Sequence, residues 1–389
     1  MPLESIEQRF ANILQTRKEQ YLYRSRPLVT SAQTVAMQIN GYQVINFSAN
    51  DYLGLANHPK LKQTAQDFDS LSYGSGAAHL VTGHHQQHHL LEQELADWLI
   101  TERALLFSTG YMANQGLLQA LMKKGDLILA DKLSHASLID GALSSKADLK
   151  RYPHVDMQAL EKRLIKASQN QQQVLIVTDG VFSMDGTLAP LAKIKQLATK
   201  YQAWLLVDDA HGFGTLGTTG KGVFEHFSLP IDENTIVMGT LGKAFGCSGA
   251  FIAGSNTLIE TLIQFARPYI YTTAMPAINA KVCRQALQLV NMASQERKQL
   301  QNNIDQFRKG VLQLNLTLLD SPTAIQAIIL KESEIVLKWS EQLKQLGFWV
   351  TAIRPPTVPN NTARLRITLS ALHTKTQISQ LLTAIKSIC

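Results

Sequence analysis

The sequence is poor in cysteine, in charge and in uninterrupted apolar runs. Its three cysteines, Cys247, Cys283 and Cys389, are scattered and odd in number. That excludes a disulfide framework and fits a reducing compartment. Charged residues make up only 17% of the chain and never form a run of five like charges. Neither a disordered charged tail nor a concentrated nucleic-acid surface is expected. The net charge of +7, from 37 basic and 30 acidic residues, is spread along the chain and reads as mild attraction for small anions. One uncharged stretch, Ala104 to Met122, approaches the length of a bilayer span. It contains Ser108, Thr109, Gly110, Asn114, Gln115, Gly116 and Gln119, so a buried strand followed by a helix is the better reading, and no membrane partner is expected. The opening residues Met1-Pro2-Leu3-Glu4-Ser5-Ile6-Glu7 carry acids and no apolar core. No secretory signal is read there, and a cytoplasmic location is expected.

What is present is enough apolar material, 45% of 389 residues, for a sizeable core divided between two domains. Residues 1–40 read as a helical arm and connector. Ile6, Phe10, Ile13 and Leu14 recur at helical spacing, and Pro27 marks a break. Residues 41–285 carry short apolar runs, several of them separated by helix-length stretches: Ala104 to Phe107, Leu127 to Ala130, Val174 to Val177, Trp204 to Val207, Ile236 to Met238 and Ala250 to Ala253. This pattern predicts an α/β domain with a mostly parallel sheet covered on both faces. The run at Gly249 follows Lys243 too closely for a crossover helix, so some antiparallel pairing is expected. Residues 286–389 alternate polar helices with strand-like runs and predict a smaller α+β domain.

In such a sheet, ligands bind beyond the carboxyl ends of the strands. Five consecutive apolar runs are followed by polar groups. These are Ser108-Thr109-Gly110-Tyr111, Ser134-His135-Ala136-Ser137, Ser183-Met184-Asp185-Gly186, Asp208-Asp209-Ala210-His211-Gly212 and Thr240-Leu241-Gly242-Lys243-Ala244. A carboxylate abutting an apolar strand is costly unless paired, so a cationic partner is expected for Asp208 or Asp209. A lysine in a pocket of low polarity loses proton affinity and can form a Schiff base. Pyridoxal phosphate needs that lysine, an acid beside its ring nitrogen, a phosphate cradle and a flat group against the ring. Lys243, Asp208, the helix start at Gly110 and His135 offer one of each. His211 and Ser183 could bond the ring oxygen or the phosphate.

Rival motifs are weaker. Gly212-Phe213-Gly214-Thr215-Leu216-Gly217 fits the dinucleotide pattern, but Thr218-Thr219-Gly220-Lys221-Gly222 is a poor helix start and no acid follows at the required distance. In Gly83-His84-His85-Gln86-Gln87-His88-His89, His84 and His88, or His85 and His89, would share a helix face. No accompanying ligand set is evident. The run is read as a polar loop entering a helix over Leu90 to Ile100, and no metal is assigned.

The strand-end motifs, together with Val181-Phe182-Ser183-Met184-Asp185-Gly186 and Phe47-Ser48-Ala49-Asn50-Asp51-Tyr52-Leu53-Gly54, resemble those of the α-oxoamine synthases. These are fold-type I, aspartate aminotransferase-like pyridoxal-phosphate enzymes that join an amino acid to an acyl thioester with loss of CO2. The resemblance spans almost the whole chain. Trp349 to Pro359, followed by Ala363-Arg364-Leu365-Arg366, is similar to the members that use L-alanine and a pimeloyl thioester, on CoA or acyl carrier protein, rather than glycine. The resemblance implies that Lys243 holds the cofactor, that Asp208 faces the ring nitrogen and that His135 stacks on the ring. Gly110, Tyr111, Ser183, His211 and Thr240 would also contact cofactor. Arg366 would bind the amino-acid carboxylate, Thr357 would touch substrate, and Asn50 would lie near the reacting groups. Of Arg24 and Arg26, Arg24 is the candidate for the acyl substrate. Many members carry Glu where this chain has Asp179, and no role is assigned there. A homodimer with shared sites is implied, with Tyr271-Thr272-Thr273 reaching the neighbour's phosphate.

Overall fold

The computed structural model describes residues 4–68 and 71–389. A seven-stranded sheet forms its centre. Across the sheet the strands run Arg103–Phe107, Ala250–Gly254, Thr235–Thr240, Trp204–Asp208, Val174–Asp179, Leu127–Asp131 and Asp148–Tyr152. Ala250–Gly254 pairs antiparallel with both neighbours, and the remaining pairs are parallel. The short link from Thr240 leaves no room for a crossover, so this strand must return in the opposite sense.

The apolar runs are continuous because both faces are covered. Successive side chains point to opposite sides. Leu106, Leu129, Ile176, Leu205 and Val207 pack into one core, and Leu105, Ile128, Leu175, Val177 and Leu206 into another. Helices Gln86–Leu99, Met157–Gln169 and Leu191–Lys200 close the first through Leu91, Leu95, Leu160, Leu164, Ile194 and Leu197. Helices Gly110–Leu121, Ala136–Ser144 and Asn256–Phe265 close the second through Leu117, Leu118, Leu138, Ile259 and Leu262. At roughly 2 kcal/mol for each fully buried large aliphatic side chain, these two layers dominate the stabilisation of the sheet.

Two small sheets lie outside this centre. Ile325–Lys331, Ala363–Thr368 and Thr351–Ile353 form an antiparallel sheet with Ala363–Thr368 in the middle. Ala36–Ile39 pairs with Tyr42–Asn46, which pairs in parallel with Phe348–Trp349. Residues on both sides of position 41 therefore pack with the C-terminal part of the chain. Helix Ile6–Glu19 is closed by a capping box between Ser5 and Gln8 and buries none of its residues. Among the described residues no helix is long and apolar enough to cross a membrane.

Candidate active site

Parallel strands in register deliver their terminal residues side by side. Asp179 and Asp208 are directly paired, and Asp208 is paired in turn with Met238, two residues before the end of the next strand. Asp208 receives Nδ2–H of Asn114 at 2.8 Å and the Ala210 N–H at 3.1 Å. Asn114 is buried in helix Gly110–Leu121, which Thr109 caps by accepting the Met112 N–H. Its amide also donates to Ser137 Oγ at 2.9 Å, and Ser137 Oγ lies 2.7 Å from His135 Nδ1. A chain of hydrogen bonds thus runs from Asp208 through Asn114 and Ser137 to His135. His135 caps helix Ala136–Ser144, and its own N–H donates to Asp179 at 3.0 Å. Its ring remains exposed. Desolvation lowers the imidazole pKa, with Asp208 pulling the other way.

Asp209 points elsewhere. Its Oδ2 accepts the Val223 N–H at 2.7 Å, and its Oδ1 has no protein partner. A Cβ at Gly212 or Gly222 would fall 2.0 or 1.8 Å from its carboxylate oxygens. Of the glycines that imitate a dinucleotide motif, Gly212 therefore makes room for Asp209, while Gly214 does so for Ala244 and Gly217 for Glu225. Turns, then the four-residue helix Val223–His226, follow them, which is no platform for a pyrophosphate. The expected cationic partner is also replaced. Among the described residues neither Asp208 nor Asp209 makes an ion pair, because amide and backbone N–H groups supply the hydrogen bonds instead. Burial, followed by repulsion from Asp208, raises the pKa of Asp179 well above the carboxylate range. In Asp209 burial is again the main cause of a large upward shift.

Lys243 sits in a tight loop. Thr240 Oγ1 donates to Gly249 O at 3.0 Å and accepts the Gly242 N–H, and the Gly246 N–H closes onto Lys243 O at 2.8 Å. Gly246 has φ +67°, and a Cβ there would meet Ala56 N at 2.3 Å, so no other residue fits. Burial lowers the Lys243 amine to about 8, opposed by Asp208. His211 is buried with Nδ1 2.5 Å from Tyr52 OH. Burial and the cations Lys243 and Arg366 hold it well below its ordinary value, while burial pushes Tyr52 up to about 12.

Arg366 approaches from the C-terminal sheet and is buried. Its Nε donates to Ser183 O at 2.7 Å, and its terminal nitrogens donate to Thr368 Oγ1 at 2.9 Å and Asn50 Oδ1 at 3.1 Å. Ser183 thus meets the site through its carbonyl. Arg24 reaches Thr357 Oγ1 at 3.4 Å, and Arg354 donates to Tyr23 O at 2.6 Å. Tyr111 contacts Asp140 through its hydroxyl, leaving its ring exposed beside the helix start. Sequence reading did not single out Asn114, Ser137 or Tyr52. An asparagine one turn after Gly110, on the face of an otherwise apolar helix that turns toward the sheet, was the available signal.

These groups suit pyridoxal phosphate: a half-buried amine of lowered pKa, a carboxylate held by neutral donors, an imidazole with an open face, and free N–H groups at the start of a twelve-residue helix. The comparisons agree. The model of the family "Aminotransferase class I and II" matches residues 42–385. The chain belongs to this family. It is 69% identical to the 8-amino-7-oxononanoate synthase of Hydrogenovibrio crunogenus, over 99% of this chain and 97% of the relative. A variant of the serine palmitoyltransferase of S. paucimobilis, solved with a bound PLP–myriocin aldimine, is 28% identical with a TM-score of 0.92 and covers 99% of this chain and 98% of its own. The crystal structure of 8-amino-7-oxononanoate synthase from Francisella tularensis is 33% identical with a TM-score of 0.78, over 88% of this chain and 97% of that one. Within the aminotransferase family these neighbours are α-oxoamine synthases, and the cofactor of this fold-type I transferase is pyridoxal phosphate.

Proposed function

We propose that this chain joins L-alanine to a pimeloyl thioester and releases CO2 and the free thiol, giving 8-amino-7-oxononanoate for biotin synthesis. The observation that carries this reading is the near-complete, 69% identical match to a synthase of that name. The buried Arg366, gathered with Lys243 and Asp208 into one electrostatic neighbourhood, supports it.

Bound pyridoxal phosphate supplies an aldehyde that captures amines and a ring that withdraws electrons from the carbon beside the captured nitrogen. Lys243 holds it through Nζ. With a pKa of about 8, a fraction of this amine is unprotonated near neutrality and can serve as nucleophile, then as base for the alanine Cα proton. Asp208, fixed by Asn114 and the Ala210 N–H, would present its carboxylate to the ring nitrogen. His135 would offer its open ring face to the cofactor ring. The helix start at Gly110 and Tyr111, with Thr240 and His211, would hold the remaining cofactor groups. Arg366 has used one hydrogen on each of its nitrogens, which leaves two N–H groups for the alanine carboxylate. Asn50 and Ser183 hold that guanidinium in place. Arg24 and Thr357 form the outer contact for the acyl substrate. The new carbon–carbon bond forms as the thiol leaves. CO2 then departs, and Lys243 Nζ returns a proton to the carbon left behind.

The site is shared between two copies in this reading. Tyr271, Leu80 and Val81 are exposed, and the isolated bridge Ala78–Thr273 joins their segments, which we infer meet the second copy. With three free cysteines, we place the enzyme in the cytoplasm. The test is an assay of the cofactor-loaded protein with pimeloyl thioester and either alanine or glycine. Mass spectrometry should find 8-amino-7-oxononanoate with alanine. A product formed from glycine in preference to alanine would move the chain to the glycine-using relatives.

A further inference from the structure

The histidine run, to which the sequence reading assigned no metal, is built differently from a polar loop. A π-helical turn, His79–Gly83, precedes it, and helix Gln86–Leu99 begins four residues earlier than expected because His85 caps it. His84 therefore precedes the helix, while His88 and His89 lie on it. The missing accompanying ligand is Glu92. It stands three residues after His89, on the same helix face.

From these residues we propose a divalent-metal site of the zinc type, with His84, His89 and Glu92 as its protein ligands, separate from the pyridoxal-phosphate centre. One ligand atom from each of the three lies within 4.8 Å of the other two. His84 Nε2 and Glu92 Oε2 are 4.0 Å apart. Tetrahedral ligands at the usual zinc distances are about 3.3 Å apart, so completing the site takes movements of up to about 1.5 Å between its ligand atoms. The His84 side chain is 31% exposed and has the freedom to make that movement. Both inner ligands are already oriented. Glu92 Oε1 accepts the Leu106 N–H at 3.0 Å, which turns Oε2 toward His84. His84 Nδ1 lies 3.0 Å from His79 Nδ1, and His79 is itself buried and stacked on Tyr269. A ligating imidazole whose second nitrogen is held by a buried partner is the usual support of a metal site.

His88 does not compete for the ion. Its Nδ1 accepts the His85 N–H at 2.9 Å, so its proton is on Nε2, which donates to Met275 O at 2.8 Å. That choice removes the alternative trio of His79, His84 and His88. Two imidazoles and one carboxylate suit zinc better than magnesium or calcium, and three protein ligands leave a position for water. The Glu92 carboxylate, only 12% exposed, gains a cation that offsets the cost of its burial. Occupancy would pin the turn His79–Gly83 to helix Gln86–Leu99. The neighbouring residues Ala77 and Ala78 bond to Ala274 and Thr273, so the ion would brace the segment proposed to meet the second copy.

The experiment is titration of the cofactor-loaded enzyme, stripped of metal with a chelator and desalted, with Zn2+ followed by calorimetry and by X-ray absorption. One equivalent per chain with a nitrogen and oxygen shell is expected. His89→Ala, on the exposed surface, and Glu92→Gln should each weaken binding at least about tenfold, and His79→Phe, which keeps the ring stack, roughly 10–100-fold. His226→Ala should leave it unchanged. Zinc should raise the Tm of the parent but not of Glu92→Gln. Absence of saturable binding, sulfur in the coordination shell, or undiminished affinity in Glu92→Gln and His89→Ala would overturn the site.

Discussion

The strand ends of the large sheet and the C-terminal strand facing them hold charge in opposite ways. At the strand ends, Asp179, Asp209, His211 and Lys243 have pKa values displaced from their ordinary range, chiefly by burial. Their hydrogen-bond partners come largely from the same sheet and its loops. The opposite wall presents the guanidinium of Arg366. It is held by neutral oxygens from three separate segments, Ser183, Asn50 and Thr368. The first wall is suited to moving protons, and the second to docking a fixed charge. Chemistry and recognition should therefore separate when each wall is altered.

The largest effect should come from Lys243. In Lys243→Ala the yellow absorbance of the bound cofactor and turnover should vanish together, with a loss of at least about 10⁴-fold. Activity close to the parent would break the assignment of this wall to chemistry. Asp208→Asn is next. Asn114 and the Ala210 N–H still hold the side chain, so the fold persists, but the negative charge is gone. A loss of roughly 10²–10³-fold in kcat is expected, about 3–4 kcal/mol of electrostatic stabilisation, with little change in alanine KM. A rate within about twofold of the parent would remove Asp208 from the chemistry.

How much of this was legible depends on the distance over which each feature is specified. The sheet is written locally. Leu127-Ile128-Leu129-Ala130 reads as a strand buried on both faces, and the short spacing from Lys243 to Ala250 already pointed to an antiparallel return. The strand-end residues followed from the same local reading. Arg366 did not. Nothing near it reveals that its guanidinium lies 2.7 Å from Ser183 O, 183 residues earlier. Only likeness to a family pointed there. Asp208 and Asp209 were indistinguishable by type, and their opposite destinations depend on Asn114 on one side and on the Val223 N–H on the other. The start of the helix after the histidine run was placed too late for a related reason. It depends on His85 capping the helix at Gln86, which a loop reading of Gly83 to His89 does not anticipate.

The smallest of these effects should sharpen the contrast most. In the proposed reading Arg366→Ala removes a charge-assisted contact with the alanine carboxylate, worth about 1.5–3 kcal/mol. It should raise alanine KM roughly 10–100-fold while leaving the acyl thioester KM within about twofold. Arg366→Lys keeps the charge but loses the planar fork, so it should restore only part of the affinity. Full recovery by lysine would show that charge alone recruits the carboxylate. An unchanged alanine KM in Arg366→Ala would mean that this wall does not dock the amino acid. Recognition would then have to move to the strand ends, and the separation between the two walls would fail.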